Sequence, residues 1–152
     1  MSRRQLITMT DEEMHTFLLQ ERTLQVATID HDGYPHLIAM WYTFFEQEIA
    51  FWTYAKSQKA VNLRRDPRLT CLAEAGERYE ELRGVQIKGQ ALIYEDLATV
   101  QRFGELLAER YTGPLNENTR PMMLAQAAKR IVVVVKPVEI VSWDHRKLGG
   151  VY

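Results

Sequence analysis

The sequence predicts a mainly β fold, a small barrel of six antiparallel strands with helices at its periphery. Three observations predict it. The chain has 152 residues, which suits one domain and leaves no room for a second of ordinary size. Six runs rich in β-branched and aromatic residues are separated by turn-forming residues. Most connections between consecutive runs are short, which favours antiparallel pairing. Six such strands commonly close on themselves because closure removes exposed edges. A single domain over residues 1–152 is therefore expected.

The elements follow in order. Thr10 and Glu13 have capping-box spacing, and Met14, Phe17 and Leu18 recur at helical intervals, so a short helix is expected over 11–20. Residues 23–29 read as the first strand. His31, Asp32 and Gly33 form a turn, and Pro35 opens a second apolar run to Phe45. Glu46 to Glu48 is a polar break before the third strand, 49–54, and these three strands are expected to form a meander. Residues 56–65 read as a helix with Ser57 as its cap, stopping near Asp66 because Pro67 restricts the residue before it. The fourth strand is 69–75 and the long fifth is 82–94, in which Gly84 and Gly89 mark bulges or close backbone approach. Asp96 caps a helix running to Tyr111, with Leu97, Val100, Phe103, Leu106 and Leu107 on its buried face. A loop follows, then a helical segment over 121–130. The sixth strand, 131–143, contains Pro137, which predicts an edge or a bulge there.

Composition excludes several functions. The 19 basic and 20 acidic residues leave a net charge of −1, so no global field draws the chain to nucleic acid or an anionic membrane. The longest strongly apolar stretch, 37–45, falls far short of the roughly 20 residues that span a bilayer. No secretory signal is expected, since the N-terminal region turns acidic without an apolar segment. Cys71 is the sole cysteine, which excludes an internal disulfide or a cysteine zinc cluster and fits a reducing cytoplasm. His15, His31, His36 and His145 show no metal-ligand spacing, so no metal site is expected. The GxSxG, GxGxxG and GxxxxGK[ST] patterns are absent.

The informative chemistry lies between residues 56 and 68. Lys56, Lys59, Arg64, Arg65 and Arg68 against the single acid Asp66 leave a local charge of +4. Basic side chains beside a helix N-terminus make an anion site, and phosphate is its natural ligand. From the charge alone, a solvated charged helix is the favoured reading. Single-stranded nucleic acid is a further reading, given Trp41, Trp52 and Tyr54 nearby, but the neutral total charge opposes it. Strand alternation puts Trp52 and Tyr54 on one face, where they can serve the core or line a pocket for a planar ring.

Residues 51–68 resemble the phosphate-binding segment of the pyridoxamine 5′-phosphate oxidase-like split-barrel flavoproteins. Residues 27–36 and 39–42 resemble that superfamily's first hairpin. Residues 82–91, 109–114 and 142–149 resemble its actinobacterial branch, which uses the deazaflavin coenzyme F-420 rather than FMN. The resemblance implies a six-stranded antiparallel split β-barrel that forms a homodimer, with two cofactor sites at the subunit interface. It implies that the phosphate meets Ser57 and Lys59 beside Thr53, and that the ring lies along the backbone of Met40, Trp41 and Tyr42. Lys56 and Asn62 are implied as supporting contacts. Trp143, Arg146 and Lys147 are implied as a cover, from the same chain or its partner.

There are departures from the family pattern. Gln58 stands where true oxidases carry an arginine, Gly84 stands in place of a glutamine, and His145 to Lys147 lack the oxidase's substrate motif. The resemblance therefore implies hydride transfer between F-420 and a small conjugated substrate rather than vitamin B6 oxidation. The alternatives are an FMN-binding flavoprotein and a non-catalytic cofactor- or haem-binding protein. Tyr42, Tyr54 and His36 are the candidate proton donors, with no choice among them.

Overall fold

The computed structural model describes residues 1–150. Seven strands form one antiparallel sheet: β1 (Leu24–Ile29), β2 (Pro35–Met40), β3 (Thr43–Phe45), β4 (Glu48–Tyr54), β5 (Arg68–Ala75), β6 (Arg83–Tyr94) and β7 (Arg130–Asp144). Their order across the sheet is β2-β1-β5-β6-β7-β4-β3. The helices are α1 (Arg3–Ile7), α2 (Asp11–Gln20), α3 (Gln58–Arg65), α4 (Leu97–Tyr111) and α5 (Arg120–Ala127).

The order carries the architecture. β2 and β3 are opposite edges of the sheet, yet only Trp41 and Tyr42 separate them in the chain. Three peptide steps reach at most about 11 Å, so the sheet must curl until its edges nearly meet. The result is an antiparallel barrel split along one seam, with a covalent bridge where hydrogen bonds would otherwise close it. The expected second strand over 35–45 is thus two strands, and the total is seven rather than six. The expected meander is also corrected: β1 pairs with β2 and β3 with β4, but β2 does not pair with β3.

The break has a physical cause in tertiary contacts. The Tyr42 ring is fully buried, and its hydroxyl donates to the Leu18 carbonyl at 2.6 Å and the Glu21 carbonyl at 3.0 Å. Tyr42 takes its backbone partner from α4: the Tyr111 hydroxyl accepts from the Tyr42 amide at 3.1 Å, and its one proton is shared between the Arg22 carbonyl at 2.8 Å and the Tyr42 carbonyl at 3.1 Å. A side chain thus replaces the neighbouring strand. The turn to β4 is tight, with Glu46 and Gln47 both at positive φ (52° and 70°), as a two-residue type I′ hairpin requires.

Inward-facing residues of the barrel make the core: Leu24, Val26, Phe51, Cys71, Ala73, Val85 and Val133 are fully buried or nearly so. A second cluster forms outside it, where Val100, Phe103 and Leu107 of α4 and Met123 of α5 pack on Ala50, Val132 and Val134. β4 and the first part of β7, residues 131–135, therefore bury both faces, which explains their near-continuous apolar sequences. The expected irregularity at Pro137 is a bulge. Lys88 pairs with Glu139 and Gly89 with Pro137, leaving Val138 unpaired. Gly89 allows the close approach, since a Cβ there would stand 2.6 Å from the Lys136 carbonyl oxygen.

Candidate functional site

Strand β4 leads directly into α3, and the turn between them builds the site. The Ser57 hydroxyl caps α3 by accepting from the Ala60 amide at 3.2 Å, and it lies 3.0 Å from the Thr53 hydroxyl. The cap holds the first helical amides, which have no partner within the helix, beside the end of β4.

Asn62 locks the helix onto the barrel. It is fully buried, and its amide donates to the Thr28 hydroxyl at 3.0 Å and to Asp30 at 2.8 Å. Its oxygen accepts from the side chains of Gln58 and Arg65. Both donors and both lone pairs are used, so Asn62 is a structural link between α3 and β1.

The basic cluster divides by partner. Arg64 donates to the Ala55 carbonyl and to Glu95, Arg65 to the Ile29 carbonyl, and Arg68 to Asp66. These three arginines are spent within the chain. Lys56 is exposed. Lys59 is half-buried and has neither hydrogen bond nor ion pair among the described residues. Burial lowers its pKa, because a desolvated ammonium is less stable than a hydrated one.

Lys59 faces a cleft of about 220 Å³ that it shares with Met40, Trp41, Trp52, Thr53, Tyr54 and Arg130. The walls are pre-set. Trp41 is 52% exposed, but one face of its indole stacks on Tyr111 at 4.3 Å and 11°. The Arg130 guanidinium lies over the rings of Trp52 at 4.7 Å and Tyr54 at 4.4 Å. The cleft thus offers aromatic surfaces at one end and an unpaired cation beside a capped helix at the other, an arrangement that suits a planar ring carrying a phosphate.

Of the residues singled out from sequence, Met40, Trp41, Thr53 and Lys59 line this cleft, and Ser57 touches it through Thr53. Tyr42 stands behind the wall, and burial pushes its phenol up to about 12. With its hydroxyl committed to two carbonyls, it is a structural residue of the seam. His36 is half-buried on β2 opposite Thr28. Tyr54, 54% exposed, is the candidate proton donor on the cleft itself.

Trp143, Arg146 and Lys147 lie at the opposite end of β7 from Arg130. The Trp143 ring fills the space above Gly84, Arg146 forms a two-pronged pair with Asp144 at 2.9 and 2.7 Å, and Lys147 holds Glu13 at 2.6 Å. Within one protomer they are not brought to Lys59. Arg130 is the cleft residue that sequence reading missed. Its place follows from the pairing of Tyr54 with Arg130 across β4 and β7, a contact between segments 76 residues apart with no local signal.

The family model for pyridoxamine 5′-phosphate oxidase matches residues 10–144. A conserved hypothetical protein of Mycobacterium tuberculosis is 45% identical, with a TM-score of 0.92 over 100% of this chain and 95% of that one. An F420 reductase is 26% identical, with a TM-score of 0.68 over 86% of this chain and 98% of that one. The haem storage protein HutZ of Vibrio cholerae, at 16% identity and a TM-score of 0.68 over 87% of this chain and 94% of that one, shares the fold. No curated protein matches.

Proposed function

Because this chain belongs to the pyridoxamine 5′-phosphate oxidase family, we propose that it is a cytoplasmic, homodimeric oxidoreductase that moves a hydride between coenzyme F-420 and a small conjugated substrate. One cofactor-binding domain over residues 1–152 does the work. Lys59 carries the proposal: a half-buried cation without a partner in the chain, beside a capped helix and an aromatic cleft. In this reading Lys59, Ser57 and Thr53 receive the coenzyme phosphate, and Met40 and Trp41 border the ring. The coenzyme, when bound, supplies the hydride chemistry. The chain supplies orientation, water exclusion and charge, with Tyr54 as the phenol on the cleft. Lys56 stands by as an outer cation. Trp143, Arg146 and Lys147 serve as a cover only if the partner subunit brings them.

Deazaflavin is favoured over FMN by two local details. The Gln58 amide is engaged with Asn62 at 2.8 Å, and Gly84 has its side-chain space filled by the Trp143 ring. Gly84 offers no polar side chain, and Gln58 lacks the cation that an arginine would bring to a flavin phosphate. The 26% identity to an F420 reductase points the same way.

The homodimer is supported by β2, an edge strand exposed along most of its length, where Leu37 is 63% exposed and neighbours the exposed Tyr34 and Ile38. The exposed Val138 shares with Pro35 and Leu69 a hollow of about 450 Å³.

The test is a spectral titration of the purified protein with F-420 and, separately, with FMN. F-420 is expected to bind at least tenfold tighter, about 1.4 kcal/mol. Equal or reversed affinities overturn the assignment in favour of an FMN protein. Tight binding with no turnover of any acceptor marks a carrier.

A further inference from the structure

The cleft does not end at Arg130. Trp41, Trp52, Leu107 and Arg130 also line a second cavity of about 370 Å³ between α4, α5 and the loop joining them. Its inner surface is apolar, formed by Ala108, Leu115, Met122 and Met123 together with the two indoles. The volume is at the lower end of the range for small-molecule sites. The two methionines are long, unbranched and polarizable, and they adapt to the outline of a ring or chain.

Arg130 stands where the two cavities meet, and its bonding is incomplete. It donates to the Gln126 side-chain oxygen at 3.0 Å and stacks on Trp52 and Tyr54. No carboxylate among the described residues pairs with it. Two other arginines do hold an acid: Arg64 holds Glu95 at 2.6 Å and Arg120 holds Glu105 at 3.2 Å. A guanidinium shielded on one side by rings and lacking an acid is matched by an anion of planar, two-oxygen geometry. A neutral apolar ligand would fill the cavity and leave that cation unmatched.

We propose that this second cavity is the substrate subsite, and that it takes an apolar monocyclic or bicyclic carboxylate, with the ring between α4 and α5 and the carboxylate on Arg130. The name substrate rests on the coenzyme reading of Lys59, but the binding chemistry does not. Lys59 and Arg130 then divide the labour, one cation for the coenzyme phosphate and one for the acid of its reaction partner. Because Trp41 and Trp52 line both cavities, the two ligands would share these two walls.

The test is calorimetric titration with 2-naphthoate and with its neutral counterpart, 2-naphthalenemethanol. The acid is expected to bind saturably and at least tenfold tighter than the alcohol. Arg130→Gln should erase that preference. Ala108→Phe, which fills the cavity from α4, and Met122→Trp, which fills it from the exposed side of α5, should each weaken 2-naphthoate at least tenfold. A thermal melt on each variant confirms that it is folded. Lys59→Ala should leave 2-naphthoate binding intact. Equal affinity for acid and alcohol, or tight 2-naphthoate binding in both filled variants, would overturn the proposal. Loss of 2-naphthoate binding in Lys59→Ala would also overturn it, by moving the ligand to the phosphate end. Unchanged F-420 binding in Lys59→Ala would instead sink the coenzyme reading alone.

Discussion

Lys59 sets function against stability within one side chain. Its pKa is lowered by burial, so the folded state binds that proton less readily than the unfolded chain does. Lys59→Met should therefore raise the melting temperature of the ligand-free protein, measurable by calorimetry at neutral pH. Lys59→Ala should weaken coenzyme binding about tenfold to a hundredfold, the span of a charge-assisted contact worth roughly 1.5–3 kcal/mol. The pH dependence has a definite sign. Coenzyme affinity should hold through neutral pH and decline on the alkaline side, beginning below the range of an exposed lysine. That decline should vanish in Lys59→Ala, as fluorescence titration across pH would reveal. Asn62 has the opposite character. Asn62→Ala strands the buried Thr28 hydroxyl, at a cost of about 1–3 kcal/mol that urea denaturation would measure. Residue type and spacing made Ser57 legible as the cap of α3. The role of Asn62 was not, because its partners Thr28 and Asp30 are more than 30 residues away.

At the level of elements, the contact of α4 with β4 and β7 depends on a missing side chain. A Cβ on Gly104 would stand 2.5 Å from the Trp52 ring and 2.8 Å from the Met123 sulfur. Gly104→Ala should cost roughly 1–3 kcal/mol through overpacking and shift the emission of Trp52, which denaturation followed by fluorescence would report together. Helices α2, α3 and α4 were readable because their caps are written locally: Thr10 with Glu13, Ser57, and Asp96 with Thr99. The division of 35–45 into β2 and β3 was hidden. Both strands and the bridge between them are apolar and aromatic, and the interruption comes from the Tyr111 hydroxyl, 69 residues away. The meander failed for the same reason: adjacency in sequence cannot reveal that a curled sheet has carried two successive strands to opposite edges.

On the scale of the molecule, the exposed apolar surface of β2 and Val138 makes association the expected state. Light scattering at micromolar concentration should return twice the monomer mass, with an interface at or above the roughly 1,200–2,000 Å² of a standard complex. Leu37→Lys should shift the equilibrium toward monomer and weaken coenzyme binding in parallel if the partner completes the site. The barrel class was legible from strand count and short connections; the seam was not, because it is a property of closure rather than of any segment. The seam also ties the ligand to the breathing of the barrel. The two residues that bridge its edges are Trp41, a wall of the cleft, and Tyr42, the anchor behind that wall. Opening the barrel and dismantling the cleft are then a single excursion. Amide protons around residues 38–45 should exchange more slowly as ligand is added, by the factor 1 + [L]/Kd, while those of the distant β5–β6 pair report only global unfolding. A bound coenzyme would act as a removable staple, its tightness readable from the exchange clock of a few backbone amides.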